Sequence, residues 1–167
     1  MQSTLIARGH DGLATLNRIV SLLRGRSFGI VSLTSGRTDA PGVAHVTIVV
    51  DASRTSPDRV VSCLEKLEDV SSVEEVDPAH AVQRELALVK IARTDGTAAQ
   101  LSSLVGVAAA RIVDSSETTA IVELVGAPQE VDAAIAAMRK VGVLEVARMG
   151  QVAMARGAPT ATKAAKS

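Results

Sequence analysis

The stretch FGIVSLTSGRTDAPGVAHVTIVV at 28–50 predicts two antiparallel β-strands joined by a turn. Valine, isoleucine and threonine dominate both halves, and these residue types favour strands. The segment between the halves, TDAPG at 38–42, holds the aspartate, proline and glycine that favour a turn. We therefore predict strands at 28–37 and 43–50. Gly29 stands at the start of the first strand. Glycine is a poor strand former, so its presence there has to be explained by what surrounds it.

Helices are predicted on both sides of this strand pair. Before it, Asp11 can cap a helix that ends near Gly25. Its apolar positions at helical spacing are Leu13, Leu16, Ile19, Val20 and Leu23. After the pair, Ser56 and Pro57 predict the start of a second helix. Strands at 3–8 and around 70–76 complete the order β-α-β-β-α-β.

The same order of elements is predicted a second time. Pro128 opens a helix in this second half, and Asp95 or Thr97 can start another. The predicted strands lie at 85–93, 110–115, 118–125 and 141–149. A short sequence segment also recurs, since ARGHDGLATL at 7–16 resembles ARTDGTAAQL at 92–101. The predicted fold class is α+β, two tandem βαββαβ ferredoxin-like units, each an antiparallel sheet with helices on one face.

The domain boundaries follow from this repeat. The first domain is predicted at 1–77, a linker at 78–84 and the second domain at 85–157. The remaining residues, 158–167, have the composition of a disordered tail. A four-stranded sheet covered on one face keeps open edges and a bare second face, and units this small are marginally stable. We therefore expect at least a homodimer.

Composition excludes several classes of protein. The chain has 167 residues, 18 basic and 18 acidic side chains and an aromatic share of 1%. Nucleic-acid binding proteins use a basic face and stacking aromatic rings, so we expect no nucleic-acid partner. Cys63 is the single cysteine, which excludes an intrachain disulfide and suits a reducing compartment. The sequence holds no apolar run long enough to span a membrane and no signal peptide, so we expect a cytoplasmic protein.

The sequence predicts no catalytic residue and no metal site. His10, His45 and His80 are scattered and lack the spacing of metal ligands. Nucleotide-binding glycine motifs and nucleophile motifs are also missing from the sequence. The turn GHDG at 9–12 places backbone N–H groups at a helix start, where they favour a carboxylate or another anion. An unoccupied helix start explains this turn equally well.

Three stretches together resemble one known family, the regulatory (small) subunit of acetolactate synthase, also called acetohydroxyacid synthase. They are LNRIVSLLRGRSFGIVSLTSGRTDAPGVAHVTI at 16–48, QRELALVKI at 83–91 and LEVARMGQVAMARG at 144–157. The family's pattern aligns without a gap in the first stretch, and the resemblance extends over 2–157. It implies an N-terminal ACT domain followed by a ferredoxin-like domain.

The resemblance also implies a chain without catalytic residues or a cofactor of its own. Family members bind and stimulate a separate catalytic subunit, which carries thiamine diphosphate, FAD and Mg²⁺. That enzyme condenses pyruvate with a second 2-oxo acid in the biosynthesis of the branched-chain amino acids valine, leucine and isoleucine. Family members also bind valine between paired ACT domains, which gives feedback inhibition.

The effector positions that the resemblance implies are partly substituted in this chain. They are Asp11, Gly12, Leu13, Ala14, Gly29 and Ile30. The family usually has Asn at the position of Asp11, Gly at that of Ala14 and Asn at that of Gly29. A carboxylate, an added methyl group and a missing amide would each weaken binding of valine, so we expect valine feedback to be weakened or lost, or valine to be replaced as effector by another small amino acid. These substitutions leave an alternative open, a free-standing ACT-domain homodimer that senses an amino acid or is purely structural and has no catalytic partner.

Overall fold

The computed structural model describes residues 2–10, 12–93, 109–140 and 142–157. These residues form two compact units. Of the described residues, those up to Val82 and those from Val152 onward belong to one unit, and those within Gln83–Gln151 belong to the other. The sequence assigned 152–157 to the second domain, whereas their contacts group them with the first unit. The limits of the domains as folding units stay a prediction.

The first unit has the predicted order βαββαβ. Its elements are β1 (Gln2–His10), α1 (Gly12–Gly25), β2 (Ile30–Arg37), β3 (Val43–Asp51), α2 (Pro57–Leu64) and β4 (Val70–Val76). All the strand pairs are antiparallel, and the order across the sheet is β2-β3-β1-β4. Strand β2 begins later than predicted because Ser27 adopts a positive φ of 53° and Phe28 N–H bonds back to the Leu23 carbonyl at 3.1 Å. These residues end the helix instead of starting the strand.

Helix α1 buries Ile19 and Leu23 of the predicted stripe but not all of its members. Thr15, Ile19 and Leu23 face the sheet, whereas Leu13 is 80% exposed and Val20 is also exposed. Side chains four residues apart stack on one face, and each residue turns the helix by roughly 100°. Leu13 and Val20 therefore lie roughly 100° or more around the helix from the buried stripe. Their assignment to the core was wrong.

The core of the first unit lies between one sheet face and both helices. Alternate residues of β1 and β3 meet apolar residues of α1 and α2 there, as period-two strands and amphipathic helices require. The buried members are Leu5, Ala7, Ile19, Leu23, Val46, Ile48, Val50, Val60, Leu64 and Val70.

The second face of this sheet, called the outer face below, is partly covered by the chain itself. A 3₁₀ turn at Pro78–His80 leads into β5 (Ala81–Ala92), which starts four residues before the predicted 85. Strand β9 (Val152–Ala155), which the sequence analysis did not predict, pairs with β5. Ala81 and Ala153 are buried on the outer face with Ile6 and Val76. The expectation of a bare second face is therefore wrong for the first unit.

The second unit repeats the antiparallel sheet. Its further elements are β6 (Ala109–Ser115), β7 (Thr119–Gly126), α3 (Pro128–Met138) and β8 (Val143–Arg148). Together with β5 the strands have the order β6-β7-β5-β8. Helix α3 begins at Pro128 as predicted and buries Val131, Ile135 and Met138 against the sheet. The helix predicted to start at Asp95 or Thr97 and the predicted tail at 158–167 lie outside the described residues.

Candidate functional site

The start of α1 is held tightly against the end of β1. His10 N–H donates to the Asp69 carbonyl at 2.9 Å, and the buried Thr15 hydroxyl donates to the His10 carbonyl. A Cβ on Gly9 would lie 2.5 Å from Thr15 Cγ2 and 2.7 Å from the Asp69 carbonyl oxygen. Only glycine therefore fits at position 9 without displacing these neighbours. The sequence analysis missed this residue, although a glycine near the end of a predicted strand is a known sign of close backbone approach.

The first group of predicted effector residues lies at this helix start. Gly12 is the first residue of α1, and a Cβ there would lie 3.8 Å from Ala44 Cβ at the beginning of β3. Ala14 is half-buried, whereas Leu13 projects into solvent. The first N–H groups of a helix have no acceptor within the helix, so this end can receive a carboxylate. Asp11 lies outside the described residues.

The second group, Gly29 and Ile30, lies at the start of β2. Gly29 N–H donates to Thr55 Oγ1 at 2.8 Å, and its carbonyl accepts from Asp51 N–H at 2.8 Å. A Cβ on Gly29 would lie 3.3 Å from Arg54 Cβ. Glycine therefore lets the start of β2 pack closely against the turn after β3, which answers the question that the sequence raised. Both polar groups of Gly29 are used inside the fold.

The two groups lie at opposite ends of β3 within one chain. Gly12 is beside Ala44, whereas Gly29 is hydrogen-bonded to Asp51. The seven residue-to-residue steps from 44 to 51 span about 23 Å in a strand. One small amino acid cannot bridge that distance. The predicted effector residues therefore do not form a single site within one copy of the chain.

The edge of the first sheet is apolar where these groups lie. Strand β2 has a sheet neighbour on one side only among the described strands. Val31 sits at an irregularity in the β2–β3 pairing and is 51% exposed. Helix α1 contacts β2 and presents Leu13 and Val20 to solvent. An unpaired edge strand beside exposed apolar residues is suited to pairing with another strand.

The motif residues of the second unit make contacts with one another. Lys90 Nζ lies 3.2 Å from Glu145 Oε2 across β5 and β8. Arg148 Nε donates to Glu85 Oε2 at 2.7 Å, and its Nη1 lies 2.5 Å from Asp132 Oδ1 on α3. These ion pairs join the stretches QRELALVKI and LEVARM within one unit. These motif residues therefore have a role inside the fold. Their presence in the family pattern is not evidence that they contact another chain.

The described residues contain no group of three histidine, cysteine or acidic side chains placed to hold a metal ion. Within the same residues, every helix is too short or too polar to cross a membrane. Cys63 is a free, buried cysteine on α2, in the position that its apolar neighbours predicted.

Comparison with known proteins gives matches over both units. Residues 5–72 match the family of AHAS small subunit-like ACT domains, and residues 84–157 match the family described as small subunit of acetolactate synthase. A probable acetolactate synthase small subunit of Archaeoglobus fulgidus is 34% identical over 94% of this chain and 98% of its own length. The acetolactate synthase small subunit of Mycobacterium bovis is 32% identical over 92% of each chain.

A solved structure agrees with these sequence matches. The crystal structure of the acetolactate synthase small subunit from Thermotoga maritima superposes with a TM-score of 0.83 at 29% identity. The match covers 95% of this chain and 99% of that one. The chain therefore belongs to the family of acetolactate synthase small subunits and is a regulatory, non-catalytic chain.

Proposed function

We propose that this chain binds the catalytic subunit of acetolactate synthase and raises its activity in the biosynthesis of branched-chain amino acids. The observation that carries the proposal is the match to small subunits over both units, 5–72 and 84–157. Thiamine diphosphate, FAD and Mg²⁺ would then reside on the catalytic partner. Lys90, Glu145 and Arg148 are engaged in ion pairs within the second unit. The contact surface for that partner is therefore to be sought first among other exposed residues.

Two copies of the chain pair, in this proposal, through the edges of their first sheets. A two-fold axis through the middle of β2 would place Ile30 of one copy opposite Arg37 of the other. Arg37 pairs with Ala44, which is next to Gly12. Antiparallel pairing of the two β2 strands would therefore bring the Gly29 end of one copy to the Gly12 end of the other. It would also cover Val31 and give two equivalent effector sites.

Valine binding at these sites is proposed to be weak or lost. Gly29 has no side chain, and its backbone N–H and carbonyl are both occupied. Ala14 adds a methyl group at the helix start, and a carboxylate at Asp11 would repel that of the ligand. Losing one hydrogen bond to a charged group costs about 1.5–3 kcal/mol, or roughly ten- to a hundred-fold in affinity. We expect calorimetry to give a valine dissociation constant well above the micromolar range, and a micromolar value would refute this part.

The substitutions at the effector site also favour a second candidate, a free-standing ACT-domain homodimer without a catalytic partner. In that case the chain would pair with itself but would not co-elute with acetolactate synthase. The two candidates predict the same fold and differ only in whether the enzyme responds.

The decisive experiment measures acetolactate formation from pyruvate by the same organism's catalytic subunit, with and without this chain and without valine. We expect a several-fold rise in rate and co-elution of the two chains. The Gly9→Ala variant, whose first unit should be disrupted by the clash with Thr15 and Asp69, is the negative control. Gly36→Ala is the matched control, because a Cβ at Gly36 meets no atom within 4 Å. An unchanged rate without co-elution would support the free-standing homodimer instead.

A further inference from the structure

Strand β9 is held on the outer face of the first sheet by few contacts. Ala153 is 0% exposed and packs with Ile6 and Val76. Its N–H donates to Thr47 Oγ1 over a long 3.4 Å, and Arg156 N–H donates to the His80 carbonyl at 2.7 Å. The other large side chains of β9, those of Val152 and Met154, are exposed. Besides its pairing with β5, this four-residue strand is anchored by one methyl group and these two backbone N–H groups, which places its opening at the low end of local stability.

His45 lies directly beside this anchor. It is two residues before Thr47 on β3, so both side chains point to the outer face. The imidazole is half-buried and hydrogen-bonds to the backbone of Ala153. Its Nε2 is buried without a hydrogen-bond partner among the described residues. Charging this ring would place a second proton on a buried nitrogen that has no acceptor among the described residues, which is unfavourable.

The charged groups that face His45 come from two neighbouring strands. Arg8 on β1 is its register partner, and Glu74 on β4 lies 3.8 Å from the Arg8 guanidinium. On β2 the side facing His45 is Gly36. Strand β9 and the first two residues of β5 bring no titratable side chain. The pKa of His45 is lowered, with burial as the largest cause; the Ala153 backbone raises it, Arg8 lowers it and Glu74 raises it.

We infer that β9 is a pH-sensitive strap, which protonation of His45 releases from the outer face of the first sheet. The released strap leaves the imidazole in water, where its ordinary pKa is near 6.5. Because the docked state has the lower pKa, docking is fully stable above pH 6.5 and weakens as the pH falls below it. Between about pH 7.5 and 5.5 the ratio of released to docked strap rises by up to about tenfold. Release uncovers Ile6 and Val76.

Hydrogen–deuterium exchange of the full chain, followed by mass spectrometry, tests the strap. After correction for the intrinsic pH dependence of exchange, we expect opening of 152–157 to rise up to about tenfold from pH 7.5 to 5.5. Peptides from the centre of β1 and β3 should not change over the same range. The His45→Gln variant, which cannot be protonated, should lose the dependence. His10→Gln and His80→Gln are the matched controls and should keep it, since Arg156 N–H bonds to the backbone carbonyl of His80, which glutamine also provides.

A second measurement covers the case in which His45→Gln fails to fold. The imidazole titration of His45, followed by NMR in the unaltered chain, should share its midpoint with the exchange curve of 152–157. The proposal is overturned if the dependence persists in His45→Gln or if the exchange midpoint follows His80. It is equally overturned if the exchange of 152–157 does not change with pH, or if β1 and β3 open together with the strap.

Discussion

The edge strands β2 and β6 occupy the same place in the two units and carry the same defect. Each has an irregularity in its pairing with the next strand, at Val31 in β2 and at Val113 in β6. Both valines are exposed, at 51% and 45%. The strands differ in what accompanies the defect. The first unit also exposes Leu13 and Val20 on helix α1, whereas β6 itself exposes Ile112, at 50%, and carries Arg111, which pairs with Glu123 at 2.5 Å.

The faces that point away from the helices differ in the same way. On the first sheet Thr4, Ile6, Thr47 and Val49 are buried there. On the second sheet the corresponding face carries the Lys90–Glu145 ion pair across its strands. The two units thus share one βαββαβ pattern but differ in the polarity of their surfaces. Uncovered apolar edges are suited to assembly, and ion-paired faces are suited to water.

The largest expected effect is a loss of stability in the first unit while the second unit stays folded. Gly9→Ala places a methyl group 2.5 Å from Thr15 Cγ2 and 2.7 Å from the Asp69 carbonyl. We expect the free energy of unfolding of the first unit to fall by about 3 kcal/mol, since backbone cannot yield as a side-chain tip can. Urea denaturation should show an early transition with the signal of the second unit retained. Gly36→Ala should unfold like the unaltered chain, and equal curves for the two variants would contradict the geometry at Gly9.

The next effect tests whether β2 alone is an assembly edge. Val31→Lys puts a charge on this edge, which blocks strand pairing. We expect the dimer dissociation constant to rise at least about tenfold, or about 1.4 kcal/mol. Analytical ultracentrifugation over a concentration series measures it. Val113→Lys is the matched variant in the second unit and should leave the dissociation constant unchanged. A reversed result would move the dimer interface to β6.

An effect of similar size is expected from the ion-pair network of the second unit. Arg148→Met keeps the apolar stem but leaves the largely buried Glu85 carboxylate without the two bonds from Arg148. We expect the second unit to lose about 1–3 kcal/mol of unfolding free energy. Exchange protection in β5 and β8 should fall while that of β1 and β3 stays unchanged. Equal loss in both sheets would show that the network does not belong to the second unit alone.

The smallest effect is expected at the exposed pair on the second sheet. Glu145→Gln removes one charge of the 3.2 Å contact with Lys90, and exposed pairs contribute about 0–1 kcal/mol. Thermal unfolding at low and at high salt should give unfolding free energies that differ between the variant and the unaltered chain by less than about 1 kcal/mol. A larger loss would mean that this face is buried in the assembled protein, which would erase the contrast between the two outer faces.

Much of the fold could be predicted from the sequence because its signals are local. The TDAPG turn, the prolines at 57 and 128 and the apolar alternation of β3 each act within a few residues. They gave the order of elements in both units. The prediction for α1 was wrong at Leu13 and Val20, which fit the helical period as well as the buried residues do but face outward. Hydrophobicity gives the period of a helix, whereas its buried direction depends on what it packs against.

The sequence alone determined the repeat, the family resemblance and the substituted effector positions, because these depend on residue type and order. Only the tertiary structure decided why Gly9 and Gly29 are glycines, since the atoms that crowd them come from Thr15, Asp69 and Arg54. It also decided that Ala153 returns to cover Ile6. The physical reason is that close packing and buried hydrogen bonds join residues far apart in the chain, and no local period records which of them will meet.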